Sequence, residues 1–188
     1  MDDFKALLAS EFGPFGRLTN SQLDFLEQHY HLLCNWNKRI NLTRIRNIRE
    51  AVQFHYCESL FLGQWLPKGK LRIADVGSGA GFPGIPVAVL RPDCTVDLIE
   101  SHQRKAAFLR EASQELPNVN VVSMRAEECT SGYNWVISRA VRVEGLLKLK
   151  LAPSLALLVG GNADGLEVLK VPWGERRVLA FHVEQEPA

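Results

Sequence analysis

Disulfide and metal chemistry have little to work with in this chain. Its four cysteines, Cys34, Cys57, Cys94 and Cys129, never stand closer than 23 positions, so no C-x-x-C pair is present for zinc or thiol redox chemistry. The spacing fits reduced thiols used as small apolar side chains. An excess of one charge sign is also missing: 22 Lys and Arg against 21 Asp and Glu give a formal charge of +1. Bulk electrostatics therefore does not mark a nucleic-acid binder, and such a role must come from local clustering. No apolar run approaches the ~18–20 residues that span a bilayer. The start, Met1-Asp2-Asp3-Phe4, is acidic where a signal peptide is basic and then apolar. A soluble, cytoplasmic protein is expected. His29 and His31 stand two apart on a predicted helix and point to different faces, so the histidines hold no metal.

What is present is ordinary globular material. The 188 residues are 46% hydrophobic and 23% charged, enough for one compact unit that needs no staple. Thr19-Asn20-Ser21 offers helix caps, and Asp24 is expected in the first turn of the helix that follows. Leu23, Leu26, Tyr30, Leu33 and Trp36 then recur every three or four positions, one apolar stripe. A second helix is expected from about Ile48 to Trp65, and Pro67-Lys68-Gly69-Lys70 breaks the pattern. Residues 1–66 thus read as an N-terminal helical cap and 67–188 as the core. In the core, short apolar strands (71–76, 96–100, 119–122, 135–137, 155–159) alternate with helices at about 83–90 and 102–116. That alternation predicts an α/β fold, a mostly parallel sheet with helices on both faces. Residues 167–171 and 177–183 around Pro172-Trp173-Gly174 read as a closing C-terminal hairpin.

The most informative segment is Asp75-Val76-Gly77-Ser78-Gly79-Ala80-Gly81-Phe82-Pro83-Gly84, which follows the first strand and opens a helix, where open α/β sheets bind ligands. Gly79, Gly81 and Gly84 formally spell G-x-G-x-x-G, the dinucleotide fingerprint of an NAD(P) oxidoreductase. Two features weigh against a pyrophosphate: Pro83 has no N–H to offer, and Asp75 places negative charge at the strand's end. The negative charge of Asp75 suits a cationic ligand instead. The Asp-x-Gly-x-Gly-x-Gly pattern resembles the S-adenosylmethionine (SAM) loop of Rossmann-like class I methyltransferases. Glu100, ending the second strand, can accept from both ribose hydroxyls of either ligand. A plain tight βα turn with a solvated Glu100 is the bland alternative.

The likeness extends further. Trp36-Asn37-Lys38-Arg39-Ile40-Asn41-Leu42-Thr43 resembles the W-N-K-x-x-N-L-T signature of the RsmG (GidB) family. Asp75–Pro86 is similar to that family's glycine loop, Arg104–Leu109 to its basic helix, and Ser138-Arg139-Ala140 to its motif after the fourth strand. The family consists of bacterial enzymes that methylate N7 of one guanine in 16S rRNA. The resemblance therefore implies SAM as cofactor and 16S rRNA or the small ribosomal subunit as partner. It implies cofactor contacts at Gly77 and Phe82, at Ala126 and Glu127 beside the adenine, and at Arg139, alongside Asp75, Gly79 and Glu100. The family's Arg-His-x-x-Asp-Ser stretch stands here as Phe54-His55-Tyr56-Cys57-Glu58-Ser59, and its Lys-Gly after the fifth strand as Gly160-Gly161.

Guanine N7 has an in-plane lone pair and no hydrogen, so methyl transfer to it needs no general base. The absence of a catalytic dyad agrees with that chemistry. Arg139 has two functional readings, a clamp on the SAM carboxylate or a contact to the guanine O6 edge, and a bland one, an ion pair with a nearby acid such as Asp75 or Glu100. For RNA, residues 36–49 hold Lys38, Arg39, Arg44, Arg46 and Arg49 without an acid, next to Trp36. Arg104, Lys105 and Arg125 add positive charge near the pocket rim. A monomer is expected, and a non-catalytic rRNA-binding module is the alternative from another class.

Overall fold

The computed structural model describes residues 3–44, 47–139, 141–160, 166–174 and 177–183. Arg46, Ala140 and Gly161 lie outside them. The chain opens with helix α1 (Phe4–Phe12) and the longer α2 (Asn20–Asn37). The start of α2 is a capping box: Thr19 Oγ1 accepts from Gln22 N at 3.3 Å, and Gln22 Oε1 accepts from Thr19 N at 2.9 Å. Because the helix begins at Asn20, Asp24 falls beyond its first turn, contrary to the sequence expectation; it pairs with Lys5 Nζ at 2.9 Å instead. The apolar stripe packs as expected, with Leu26 and Leu33 fully buried.

The expected second helix is not one regular helix. It consists of α3 (Ile48–Ala51), a π-helical turn (Val52–Cys57) and α4 (Glu58–Trp65). The core then runs β1 (Arg72–Val76), α5 (Gly84–Leu90), β2 (Thr95–Ile99), α6 (Gln103–Ser113), β3 (Val119–Val122), a short 3-10 turn (Ala126–Glu128) and β4 (Trp135–Arg139). It finishes with α7 (Val143–Leu149), β5 (Ser154–Gly160), β6 (Glu167–Lys170) and β7 (Arg177–Val183).

The seven strands lie in the order β3-β2-β1-β4-β5-β7-β6. Strands β1 to β5 are parallel; β7 inserts antiparallel beside β5 and pairs antiparallel with β6, which forms the closing hairpin. Alternation along the strands sends Ile73, Leu98, Ile137 and Ala156 into one apolar cluster and Ala74, Ile99, Val136 and Leu155 into another. The first cluster is continuous with the N-terminal helices and with α5 and α6; the second lies under α7 and the 3-10 turn. Strand order reverses between β1 and β4, so their carboxyl ends flank the crevice where such sheets take ligands. No described helix is long and apolar enough to cross a membrane.

Candidate functional site

The glycine loop leaves β1 at that crevice. Gly77, Gly79 and Gly81 all have positive φ (73°, 55° and 85°), which L side chains rarely adopt. The loop is tied to β2: Gly77 N and Ser78 N both donate to the Ile99 carbonyl, at 2.9 and 3.2 Å. Glu100 closes the link from the next residue. Its Oε2 accepts from Gly79 N at 3.0 Å and its Oε1 from His102 N at 2.8 Å. The carboxylate thus stands against the loop, between the first and second strands. On the other side, Ser138 Oγ donates to the Val76 carbonyl at 2.7 Å and joins the ends of β4 and β1.

Asp75 lies beneath the loop. It is fully buried, and its Oδ2 accepts from Gly84 N at 3.0 Å. A Cβ at position 84 would sit 2.5 Å from that oxygen, so the third glycine of the formal dinucleotide pattern serves this close approach. The other oxygen, Oδ1, has no hydrogen-bond partner among the described residues. Burial pushes the Asp75 carboxyl up to about 7, and the nearby Glu100 charge adds to the effect.

Phe82 is an aromatic junction between the loop and the N-terminal helices. Its ring stacks on His55 (centroids 4.6 Å apart, 13° between planes) and meets Tyr56 and His29 edge-on at 5.0 and 5.3 Å. The sequence drew attention to His29 only as a residue that holds no metal and to Tyr56 only within the stretch 54–59, and assigned neither a place in the site. His29, on α2, pairs through Nδ1 with the Tyr56 hydroxyl at 2.8 Å, and burial pushes its imidazole down to about 4. Nothing but the helical spacing of these aromatics could have signalled the junction.

Arg139, at the end of β4, reaches the π-helical turn. Its Nη1 donates to the Phe54 carbonyl and to His55 Nδ1 at 2.7 Å, and its Nη2 lies 3.7 Å from Glu58 Oε2. His55 Nε2 in turn meets Thr43 Oγ1 at 2.7 Å. Ala126 and Glu127 occupy the 3-10 turn after β3, Ala126 half-buried and Glu127 exposed.

Of the cationic residues, the structure brings Lys38, Arg39 and Arg104 together. They line one groove of about 630 Å³ between the end of α2 and α6, with Trp36 and Glu111 on its walls. Trp36 Nε1 donates to Glu111 Oε2 at 3.1 Å. Arg44 lines a separate hollow with Asn41, Leu42 and Thr43. Lys105 is half-buried on α6 and Arg125 exposed before the 3-10 turn; neither lines that groove. Asn37 explains the local signature: its Oδ1 accepts from Leu42 N and Thr43 N, and its Nδ2 donates to the Thr43 carbonyl, so it staples residues 38–43 into a compact loop.

The family model for GidB, rRNA small subunit methyltransferase G, matches residues 22–153. Relatives carrying the name ribosomal RNA small subunit methyltransferase G include one from Halorhodospira halophila, 39% identical over 175 residues (88% of this chain, 81% of that one). Another, from Chromobacterium violaceum, is 46% identical over 112 residues (58% and 53%). The matched region spans little more than half the length of several such relatives. Among solved structures, a SAM-dependent methyltransferase from Aquifex aeolicus superposes with a TM-score of 0.55 at 17% identity, covering 71% of this chain and 92% of that one. A SAM-dependent O-methyltransferase from Thermotoga maritima gives 0.60 at 12% identity, covering 83% and 72%. These likenesses show the fold, the α/β arrangement of class I methyltransferases.

Proposed function

Since the chain belongs to the rRNA small subunit methyltransferase G (GidB) family, we propose that it transfers the methyl group of S-adenosylmethionine to N7 of a guanine in 16S rRNA. The observation that carries this reading is the meeting of two carboxylates at one glycine loop, Asp75 buried below it and Glu100 bonded to Gly79 N. Such a site suits a cation and repels a pyrophosphate. The one N–H that a dinucleotide would use at the start of α5, that of Gly84, is already given to Asp75, and Pro83 has none. Asp75 Oδ1, without a hydrogen-bond partner among the described residues, and the glycine backbone that a side chain would obstruct fit a ligand carrying positive charge close to the main chain.

In this reading Gly77 and Gly79 let the main chain come close to the ligand, Glu100 accepts from the ribose hydroxyls, and Asp75 balances positive charge from beneath. Ala126 and Glu127 lie beside the adenine, Phe82 backs the loop, and Arg139 holds either the ligand carboxylate or the guanine. When bound, SAM supplies a methyl group activated on a sulfonium. The protein's own contribution is alignment and exclusion of water. The nucleophilic lone pair on guanine N7 carries no proton, so no side chain acts as general base. Lys38, Arg39 and Arg104 receive RNA phosphates beside Trp36, with Arg44, Lys105 and Arg125 flanking them. The protein acts as a cytoplasmic monomer on 16S rRNA or on the small subunit particle. Mass mapping of methylated guanines in 16S rRNA, from cells with and without the protein, tests the assignment. Loss of one N7-methylguanosine is expected, and an unchanged inventory contradicts it.

A further inference from the structure

In an α-helix the Glu58 N–H would bond to the Phe54 carbonyl four residues back. Here it goes to the carbonyls of Gln53 and His55 instead, because the turn from Val52 to Cys57 is π-helical. The Phe54 carbonyl that loses this N–H accepts from Arg139 Nη1. The same widened turn presents His55 Nδ1 to that nitrogen and is followed at once by the buried Glu58 carboxylate, 3.7 Å from Nη2. Three acceptors of different kinds, contributed by five consecutive residues, thus converge on one guanidinium that comes from the far end of β4. Extra residues inserted into a helix recur at functional positions.

We propose that this π-helical turn is the seat of Arg139 and that His55 is a positioning residue for it. This rests on the reading that the glycine loop takes the methyl donor. A guanidinium can only donate, so His55 Nδ1 must accept, which puts the imidazole proton on Nε2. That proton then points to Thr43 Oγ1. The seat is therefore connected at both ends. The His55 ring lies flat on Phe82 of the glycine loop, and Thr43 belongs to the stapled loop between the cationic residues Arg39 and Arg44. Arg139 is held at the mouth of the donor site by the N-terminal helices, and the tautomer it sets on His55 turns the ring's remaining proton to the RNA-facing loop.

The test combines imidazole ¹⁵N spectra with calorimetric titration of S-adenosylhomocysteine into the full chain. The wild type is expected to show His55 protonated at Nε2 alone, and Arg139→Ala to release it into a mixture of tautomers. His55→Phe keeps a ring for Phe82 but loses the acceptor, and it should weaken the ligand about tenfold. His55→Asn, which restores an acceptor, should recover most of that loss, and Thr43→Val should show a smaller one. In the Arg139→Ala background, His55→Phe should add nothing. Wild-type affinity in His55→Phe, or losses that multiply in the double variant, overturns the proposal. An unchanged His55 tautomer in Arg139→Ala does so too, and it does not depend on any ligand. A wild-type protein that binds no S-adenosylhomocysteine overturns the donor reading, while the ¹⁵N spectra still decide whether Arg139 sets His55.

Discussion

A carboxyl shut away from water with one N–H for its two oxygens is costly to ionise. Asp75 is in that position, and burial pushes it up to about 7 from an ordinary 3.8. Between about pH 4 and pH 7 the unfolded chain has already released a proton that the folded chain still holds. Stability from this residue therefore falls as pH rises through that window and is level above it. Asp75→Asn keeps an oxygen for the Gly84 N–H and removes the charge. It is expected to stabilise the fold at pH 8 by at most about 4 kcal/mol, read as a higher urea midpoint, and to leave the midpoint near the wild-type value at pH 4. The same substitution should weaken S-adenosylmethionine binding about tenfold, since the cation loses its buried counter-charge. An unchanged midpoint at pH 8 would show that the buried charge is not the cost described. The sequence places Asp75 correctly at the strand's end. It does not reveal that the residue lies under the loop, because that depends on Gly84 coming close enough to leave no room for a Cβ.

At the scale of elements, capped and striped segments are legible and the π-helical turn is not. Thr19 and Gln22 are three residues apart and close the start of α2 by themselves, so local pattern suffices. The stretch 48–65 has no Pro, and its only Gly is Gly63, near its end; nothing local announces a change of helical pitch. What fills the released carbonyl of Phe54 is Arg139, 85 positions later, which no window of sequence connects to it. The groove between α2 and α6 follows the same logic. Each of Lys38, Arg39 and Arg104 is visible as a cation, but their meeting beside Trp36 requires the packing of α2 on α6. Each phosphate released from such contacts reduces the salt slope of single-strand binding by about 0.7. Filter binding of an rRNA fragment across a salt series should therefore give a slope lower by about 0.7 in Arg104→Ala and by about twice that in Arg39→Ala/Arg104→Ala. A slope equal to wild type in both would remove the groove from the RNA path.

Over the whole molecule, alternating strands and helices predict the parallel sheet, and the two segments around Trp173 predict the hairpin. The position of β7 between β5 and β6 is not readable, since either strand of a hairpin can take the edge. The 1–66 and 67–188 division describes a change of pattern in the chain rather than a gap in the core. One apolar cluster runs from Phe4, Leu8 and Tyr56 through Phe82 to Ile73, Leu98 and Ile137. A fragment of residues 67–188 keeps α5 and α6 on that sheet face but loses the N-terminal helices packed on the same cluster, and it is expected to show no cooperative thermal transition by near-ultraviolet circular dichroism. A sharp transition would establish the core as independent. The account as a whole rests on a cationic methyl donor seated at the loop between β1 and β2. Calorimetric titration with S-adenosylmethionine and, separately, with NADH tests this most directly. It predicts saturable heat with the first, abolished by Glu100→Ala, and none with the second; saturable binding of NADH, or SAM binding indifferent to Glu100, would contradict it.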